Sequence, residues 1–301
     1  MPTAQPGDRA AILIEGPDAE HFLQNVLTAD LDGLAAGEAR PGALLSPQGK
    51  ILFDFLISRR GADGFLLDCR AEPAGDFMRR LTLYRLRAKA VISLADQLVV
   101  TARWQDDSAA SRDDSTTSQT DSTALQTDSG WLADLRFPQG SGVSRRYGDA
   151  VATDASPDDY DRLRIAHGVA ESGKDFAAGD AFPHDVLMDS NGGVGFRKGC
   201  YVGQEVVSRM QHRGTARRRV MIVKGAGDLP ASGTEVEAGG RAIGTLGSVC
   251  GPDGLAIVRI DRVKVAQDGG VSITAGGVAL SLSVPPSATY TLPQGETADE
   301  R

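Results

Sequence analysis

Residues 198–205 constrain the fold of this chain more than any other stretch. Their sequence, Lys-Gly-Cys-Tyr-Val-Gly-Gln-Glu, places a thiol between two glycines and beside a cation, an amide and a carboxylate. Gly199 and Gly203 permit positive φ angles and close backbone approach, so we expect a tight loop around Cys200. Residues 205–213 lack glycine and repeat polar side chains at helical spacing, which predicts a short helix directly after the loop. We call residues 198–205 the cysteine motif.

Cys200 is the candidate reactive group of the cysteine motif. The N-terminus of the predicted helix would direct backbone N–H groups and the positive end of its dipole toward the thiol, and Arg197 and Lys198 would add positive charge. Such surroundings favour the thiolate, which is the nucleophilic form of cysteine. A packing cysteine behaves as a small hydrophobic residue and needs neither flanking glycines nor cations. We therefore predict a functional thiol at position 200.

Length and composition limit the class of protein. A chain of 301 residues suggests about two domains, and a net charge of −8 argues against generic nucleic-acid binding over the whole surface. Cys69, Cys200 and Cys250 are widely spaced and odd in number, which fits a reducing compartment and not a disulfide framework. We find neither a signal peptide nor an apolar run of the ~20 residues that span a membrane. These features predict a cytoplasmic protein without a membrane segment.

Shifts in composition divide the chain into five parts. Residues 1–104 and 131–213 combine short apolar strands with amphipathic helices, which predicts two α+β regions, the second carrying the cysteine motif. Residues 105–130 are acidic and rich in serine and threonine, so we expect a disordered insertion. Short strands bounded by glycine turns predict an antiparallel β-barrel over residues 214–290, and residues 291–301 are predicted to form a tail.

The cysteine motif resembles the signature of the YgfZ-type folate-binding proteins, bacterial relatives of a mitochondrial iron–sulfur cluster assembly factor. That family is itself related to the T-protein, the aminomethyltransferase of the glycine cleavage system. The resemblance continues through residues 206–219 and extends from Arg9 to about Pro286, with an interruption near 105–150. It implies an α+β, T-protein-like multi-domain body around a central cavity, with a C-terminal antiparallel β-barrel.

The resemblance also implies a tetrahydrofolate site, for which residues 1–104 would supply the folate-binding region. Asp54, a single carboxylate in an apolar strand, occupies the place where the T-protein relatives carry an acidic pair, one member of which faces the reactive nitrogen of folate. Phe53 replaces the other acid of that pair here. Asp185 matches a carboxylate that hydrogen-bonds the amino edge of the pterin. The remaining implied cofactor-binding residues lie beside or within the cysteine motif: Arg197, Lys198, Tyr201, Gln204 and Glu205.

The implied function is that of a tetrahydrofolate-binding protein that supports assembly or repair of iron–sulfur enzymes, including enzymes that modify tRNA. Its implied partners are iron–sulfur cluster assembly proteins or client iron–sulfur enzymes. Cys200 is the predicted catalytic thiol, and no metal site is predicted because the Cys and His residues are not clustered. One motif cysteine cannot hold a cluster that normally takes four thiolates, so ligation shared with a partner, transient ligation and thiol exchange all stay open.

Other functions remain open from the sequence. A folate-dependent one-carbon transferase of the aminomethyl type is one alternative, although the loss of an acid at Phe53 counts against it. A non-catalytic adaptor that docks through the basic residues of 197–219 is another. A Cys–His hydrolase that pairs Cys200 with His184 or His212 lacks any further sequence signal. Direct sequence-specific binding of nucleic acid is not predicted, and the sequence leaves enzyme status and oligomeric state open.

Overall fold

The computed structural model describes residues 1–105 and 130–293. The disordered insertion predicted at 105–130 therefore lies almost wholly outside the described residues, and so does most of the tail predicted at 291–301. In the described part, no helix combines the length and the apolar character that crossing a membrane requires.

The larger sheet brings together strands that lie far apart in the sequence. In chain order its nine strands are β1 (Thr3–Ala4), β2 (Arg9–Glu15), β3 (Glu38–Leu45), β4 (Ile51–Arg60), β5 (Gly64–Arg70), β6 (Val91–Leu94), β7 (Val99–Arg103), β8 (Trp131–Asp134) and β9 (Ser144–Gly148). Across the sheet the order is β1-β7-β9-β8-β3-β4-β5-β2-β6, and neighbours are antiparallel except for the parallel pair β3 and β8. Both predicted α+β regions therefore contribute strands to one sheet.

Two helices cover one face of this sheet. They are α1 (Ala19–Gln24) and α2 (Ala74–Arg85). Alternation along the strands directs apolar side chains toward these helices, as expected for a sheet with one buried face. The core between them consists of side chains such as Ile12, Ile14, Leu23, Phe55, Phe77 and Leu81. Phe53 stacks on Phe77 at 4.7 Å between ring centroids, so the residue that replaces an acid serves packing here.

A third helix lies between the sheet and the C-terminal region. Helix α3 (Pro157–Ala166) begins with a capping box, in which the Ser156 hydroxyl accepts from the Asp159 N–H and the Asp159 carboxylate accepts from the Ser156 N–H. Proline at the first helical position fits the same start. The helix contacts β1 of the sheet and two strands of the C-terminal barrel.

The predicted antiparallel barrel is confirmed and is closed. Its strands are β10 (Arg218–Gly225), β11 (Glu235–Ala238), β12 (Arg241–Cys250), β13 (Asp253–Arg259), β14 (Ile273–Ala275) and β15 (Val278–Ser283), in the order β10-β13-β12-β11-β14-β15. β15 pairs again with β10, so every strand has two neighbours and no edge is left open. Helix α5 (Ile260–Asp268) packs Val263 and Ala266 against the barrel interior.

Charged side chains of the larger sheet, and not only apolar ones, are buried. Arg9 Nε lies 2.7 Å from Asp68, and Arg145 lies 3.1 Å from both Asp68 and Asp134. Asp68, Asp134 and Arg145 have side chains that are completely inaccessible to solvent. Because buried charges are tolerated only when they are paired, this arrangement fixes which strands lie side by side.

The same ionic chain continues into the region around α3. Arg136 donates to Asp134 at 2.8 Å, to Glu171 at 2.8 Å and to the Tyr160 hydroxyl at 2.7 Å. Arg145 also donates to the Tyr160 hydroxyl. We call the connected residues the buried ion network: Arg9, Asp68, Asp134, Arg136, Arg145, Tyr160, Arg164, Glu171 and Asp175.

Arg164 connects the buried ion network to the barrel. Its guanidinium donates to Asp175 at 2.7 Å and to the hydroxyl of Ser248 on β12. The N–H of Ser248 in turn donates to Asp175 at 2.7 Å. A shared set of buried charges therefore joins the sheet, α3 and the barrel into one structure.

We predict that Arg145→Met lowers the free energy of unfolding by about 3–5 kcal/mol, because Asp68 and Asp134 would each lose a buried cationic partner. Urea denaturation followed by circular dichroism measures this change. The matched control is Arg87→Met at an exposed arginine, which should leave the unfolding midpoint essentially unchanged. Equal stability of the two variants would show that the network does not hold the fold together.

Candidate functional site

The cysteine motif forms an exposed loop followed by a helix, as its glycines predict. Cys200 is exposed, and helix α4 (Gln204–Arg213) begins four residues later. Cys69 is buried, which raises the pKa of its thiol to about 12, and Cys250 is half-buried at the end of β12. Of the three thiols, Cys200 is therefore the one that a partner molecule reaches directly.

Two glycines allow the start of α4 to lie against the turn between β3 and β4. Gly203, the N-cap of α4, has φ +80°, and a Cβ atom built on it would lie 2.5 Å from the Ser46 carbonyl oxygen. Gly49 in the turn has φ +79°, and its Cβ would lie 3.0 Å from Cβ of Val206. A side chain at either position would push the two segments apart. The glycines thus place the cysteine motif on the larger sheet.

Lys198 holds the N-terminal end of the loop in place. Its ammonium group donates to the carbonyl oxygens of Leu27 at 2.8 Å and Ala29 at 2.6 Å. Burial lowers the pKa of Lys198 to about 8. The ammonium group also lies 5.5 Å from the centre of the Tyr201 ring. Lys198 therefore positions the loop through main-chain acceptors.

Thr28 supplies a second connection beside Lys198. Its hydroxyl donates to the Gly193 carbonyl oxygen at 2.6 Å and accepts from the Ala43 N–H at 2.8 Å. The Gly195 N–H donates to the carbonyl oxygen of Thr28 at 2.8 Å. Because Thr28 is fully buried, these bonds are shielded from competition with water. Thr28 thereby holds residues 193–195 in place, and Lys198 holds the chain two residues before Cys200.

The other residues of the motif occupy different environments. Tyr201 is buried in the core next to the barrel, which raises its pKa to about 12, and its hydroxyl has no hydrogen-bond partner among the described residues. Gln204 makes only a long contact of 3.5 Å to the Gly199 carbonyl oxygen. Glu205 is 91% exposed and pairs with Arg209 at 3.2 Å, and Arg197 is exposed. The motif residues therefore do not converge on one pocket.

Asp54 lines a separate cavity between the larger sheet and residues 168–170 and 186–191, which we call the central cavity. The cavity has a volume of about 20 Å³, enough for roughly one water molecule. The Ser172 N–H donates to the Asp54 carboxylate at 3.2 Å, and burial raises the pKa of Asp54 despite the nearby Arg9. Residues that line the cavity include Arg9, Asp54, Phe55, Arg136, Leu187 and Met188.

Asp185 does not line this cavity. It lies in a short 3₁₀ helix (Pro183–Val186), where its carboxylate accepts from the Phe182 N–H at 3.1 Å. Burial raises the pKa of Asp185 to about 6, although Arg218 and Lys50 lie close enough to oppose the shift. Asp185 directly precedes Val186, Leu187 and Met188, which do line the cavity, and its role in binding a pterin stays a prediction.

Glu171 is the carboxylate that sequence reasoning missed. It is buried, and it lies close enough to Asp54 for its charge to contribute to the raised pKa of that residue. Its carboxylate accepts from Arg136 at 2.8 Å, and the surrounding arginines hold the pKa of Glu171 well below its usual range. An acid between apolar residues and a glycine turn, as in Val-Ala-Glu-Ser-Gly, was the available signal.

The chemistry available at Cys200 is that of a single accessible thiol beside the N-terminus of α4. Within residues 1–105 and 130–293, no group of three or more His, Cys, Asp or Glu side chains is arranged to hold a metal ion. An exposed thiol of this kind can coordinate a metal together with ligands from another molecule, or exchange with another thiol.

Comparisons with known proteins match both halves of the chain. Residues 9–103 match the family model of the GCVT N-terminal domain, and residues 217–290 match the CAF17, C-terminal beta-barrel domain. The chain is 30% identical over 282 residues to the mitochondrial iron-sulfur cluster assembly factor IBA57 of Mus musculus, covering 85% of this chain and 77% of that protein. The Homo sapiens protein of the same name is 30% identical over 305 residues, covering 92% and 82%.

A solved structure confirms the predicted T-protein-like fold. The glycine cleavage system aminomethyltransferase T from Bartonella henselae superposes with a TM-score of 0.67 at 19% identity, over 95% of this chain and 86% of that one. At this identity the likeness concerns the fold alone. The prediction of a cytoplasmic location is wrong by these comparisons, since the relatives are by name mitochondrial proteins. Absence of a recognisable leader was too weak a basis for that prediction.

We predict that Gly203→Ala loosens the cysteine motif whereas Gly199→Ala does not. Alanine at 203 would adopt a strained positive φ and meet the Ser46 carbonyl oxygen, whereas nothing lies within 4 Å of a Cβ at 199. We expect Gly203→Ala to lower the free energy of unfolding by about 1–3 kcal/mol. Thermal unfolding and the rate of Cys200 modification by Ellman's reagent measure both effects. Identical behaviour of the two variants would contradict the packing of Gly203 described above.

Proposed function

Since the chain belongs to the family of the iron-sulfur cluster assembly factor IBA57, we propose that it supports assembly or repair of iron–sulfur enzymes, with Cys200 as its functional thiol. The observation that carries this proposal is the exposed Cys200 in a loop held by Lys198 and Gly203. A fold that fixes its main chain so firmly around one accessible thiol presents that thiol to another molecule.

The proposed step is shared ligation of a cluster that is the cargo of the protein. A cluster normally takes four thiolates, and Cys200 supplies one, so a partner protein supplies the others. On binding, the Cys200 thiol releases its proton to solvent and its sulfur forms a bond to iron, while the ligand previously on that iron leaves. No electron is gained or lost. The N-terminus of α4 and the exposed Arg197 supply positive charge that favours binding of an anionic cluster.

Tetrahydrofolate is proposed as a ligand of the central cavity, in line with the YgfZ-type resemblance. One feature of the lining fits a pterin, because Asp54 is a buried carboxylate that can accept hydrogen bonds from N–H groups. The space does not fit as it stands, because about 20 Å³ holds roughly one water molecule. Binding therefore requires the cavity to widen.

Bound tetrahydrofolate would supply a carrier for one-carbon units, but the residues around Asp54 do not favour an aminomethyl transferase. Phe53, at the position of the second acid, stacks on Phe77 and contributes no carboxylate to the cavity. We therefore propose that folate has a supporting role and is not the substrate of a transferase. The proposed client enzymes include iron–sulfur enzymes that modify tRNA.

We predict that Cys200→Ser abolishes support of iron–sulfur enzymes, while Cys250→Ser retains it. The test measures aconitase activity in a host strain that lacks this protein and is complemented with each variant at equal protein levels. Cys200→Ser should fall to the level of the empty vector, because serine does not replace a thiolate ligand. Full activity of Cys200→Ser would remove the thiol from the function and favour a docking adaptor.

We predict that tetrahydrofolate binds the wild type and that Asp54→Asn weakens binding about tenfold through loss of a charged acceptor. Glu72→Gln is the matched control, since Glu72 is an exposed carboxylate that does not line the cavity, and it should bind as the wild type does. Isothermal titration under anaerobic conditions measures each affinity. Absence of binding by the wild type would contradict the folate proposal and leave the role of Cys200 untouched.

A further inference from the structure

A long open groove runs between the C-terminal half of α4, the barrel and α5. Its volume is about 1390 Å³, more than the ~300–1,000 Å³ of a typical small-molecule pocket. Met210 and Gln211 of α4 line the groove, together with residues 289–291 and Pro293. We call this surface the barrel groove. It lies apart from the central cavity and shares no lining residue with it.

The barrel groove carries a positive charge in a chain whose net charge is −8. Its lining includes five cations and three carboxylates: Arg217, Arg219, Arg241, Arg262 and Lys264, with Asp189, Asp261 and Asp268. Each carboxylate already has a cationic partner, since Asp189 pairs with Arg219, Asp261 with Arg259 and Asp268 with Lys264.

Three arginines of the groove keep an uncompensated charge. Arg217, Arg241 and Arg262 are exposed and form no ion pair with any described residue. Arg262 donates to the carbonyl oxygen of Ala242 at 2.9 Å, which holds its guanidinium in place without neutralising it. Guanidinium groups of this kind are suited to bidentate recognition of carboxylates.

Apolar side chains lie among these charges. Val265 is 69% exposed and Val271 is 43% exposed, and both line the groove together with Ile243 and Ile260. Exposed aliphatic side chains that form part of a concave surface mark an interaction site. An occupant therefore needs apolar side chains as well as negative charge.

Two buried polar atoms in the lining residues lack hydrogen-bond partners. His184 and Arg219 are each more than nine-tenths buried, yet His184 Nδ1 and Arg219 Nε have no partner among the described residues. Burial lowers the pKa of His184, and its Nε2 lies 3.0 Å from Gln211 Oε1. Both atoms are inaccessible from the groove, so their unsatisfied state costs free energy but offers no direct contact to an occupant.

We propose that the barrel groove docks an acidic peptide segment of a partner protein, with aliphatic side chains among its carboxylates. The carboxylates contact Arg217, Arg241 and Arg262, and the aliphatic groups cover Val265 and Val271. Nucleic acid is a poorer match, because the exposed valines offer nothing to a phosphate backbone. This site does not depend on the chemistry assigned to Cys200.

The test uses a fluorescein-labelled peptide of three Glu-Asp-Leu-Glu repeats and measures fluorescence anisotropy at low salt with the full chain. We expect saturable binding that weakens as salt increases. Arg217→Glu combined with Arg241→Glu should weaken binding about tenfold through charge repulsion. Val265→Ser should weaken it about fivefold through lost apolar burial. Arg80→Glu combined with Arg87→Glu is the control, because it changes the net charge equally at exposed arginines outside the groove.

Several outcomes would overturn the proposal. Equal losses in the two double variants would mean unspecific attraction, and equal binding of Glu-Asp-Ser-Glu repeats would remove the aliphatic requirement. Tighter binding of a single-stranded DNA oligonucleotide would assign the groove to nucleic acid. Peptide binding that develops only after removal of residues 294–301, which include Glu296, Asp299 and Glu300, would assign it to this chain's own C-terminal segment. Concentration-dependent dimers that the groove variants abolish would assign it to a second copy.

Discussion

The buried ion network is the interaction on which the rest of the structure depends. Buried ion pairs contribute little net stability relative to apolar packing, but an arrangement that leaves one of them unpaired is strongly disfavoured. Here Asp68 requires both Arg9 and Arg145, and Arg145 also requires Asp134. These residues come from four strands, β2, β5, β8 and β9, so satisfying the charges selects one arrangement of the sheet. Arg164 extends that selection to the barrel.

The cysteine motif uses a different means of attachment. Lys198 contacts carbonyl oxygens, and Gly203 allows two stretches of backbone to touch, so neither depends on a matching side chain elsewhere. The result is a rigid support beneath an exposed thiol. Sites that act on another molecule gain from such a support, because the reactive atom is already in place when the partner arrives.

Much of the fold could be predicted from the sequence, whereas the candidate functional site could be predicted only in part. The strands that include Ile12, Asp54 and Leu66 alternate or run apolar between turns, and the glycine-bounded strands after Arg217 indicated the barrel. The parallel pairing of β3 with β8 could not be predicted, because it joins segments far apart in the chain through hydrogen bonds between main-chain groups. The role of Lys198 was hidden for the same reason, since main-chain acceptors leave no mark in a sequence.

Helix α4 joins the two surfaces that we propose as contact sites for other molecules. Cys200 precedes its first turn, and Met210 and Gln211 near its last turn belong to the barrel groove. A helix of 10 residues is about 15 Å long, so the two surfaces are separated by a fixed and short distance. The helix therefore fixes the distance between the barrel groove and Cys200. A partner that docks one segment in the groove can place next to the thiol only the part of its structure that lies at this distance. In a partner with a different spacing between its docking segment and its reactive group, other atoms would lie beside the thiol. The length of α4 would thus select among partners.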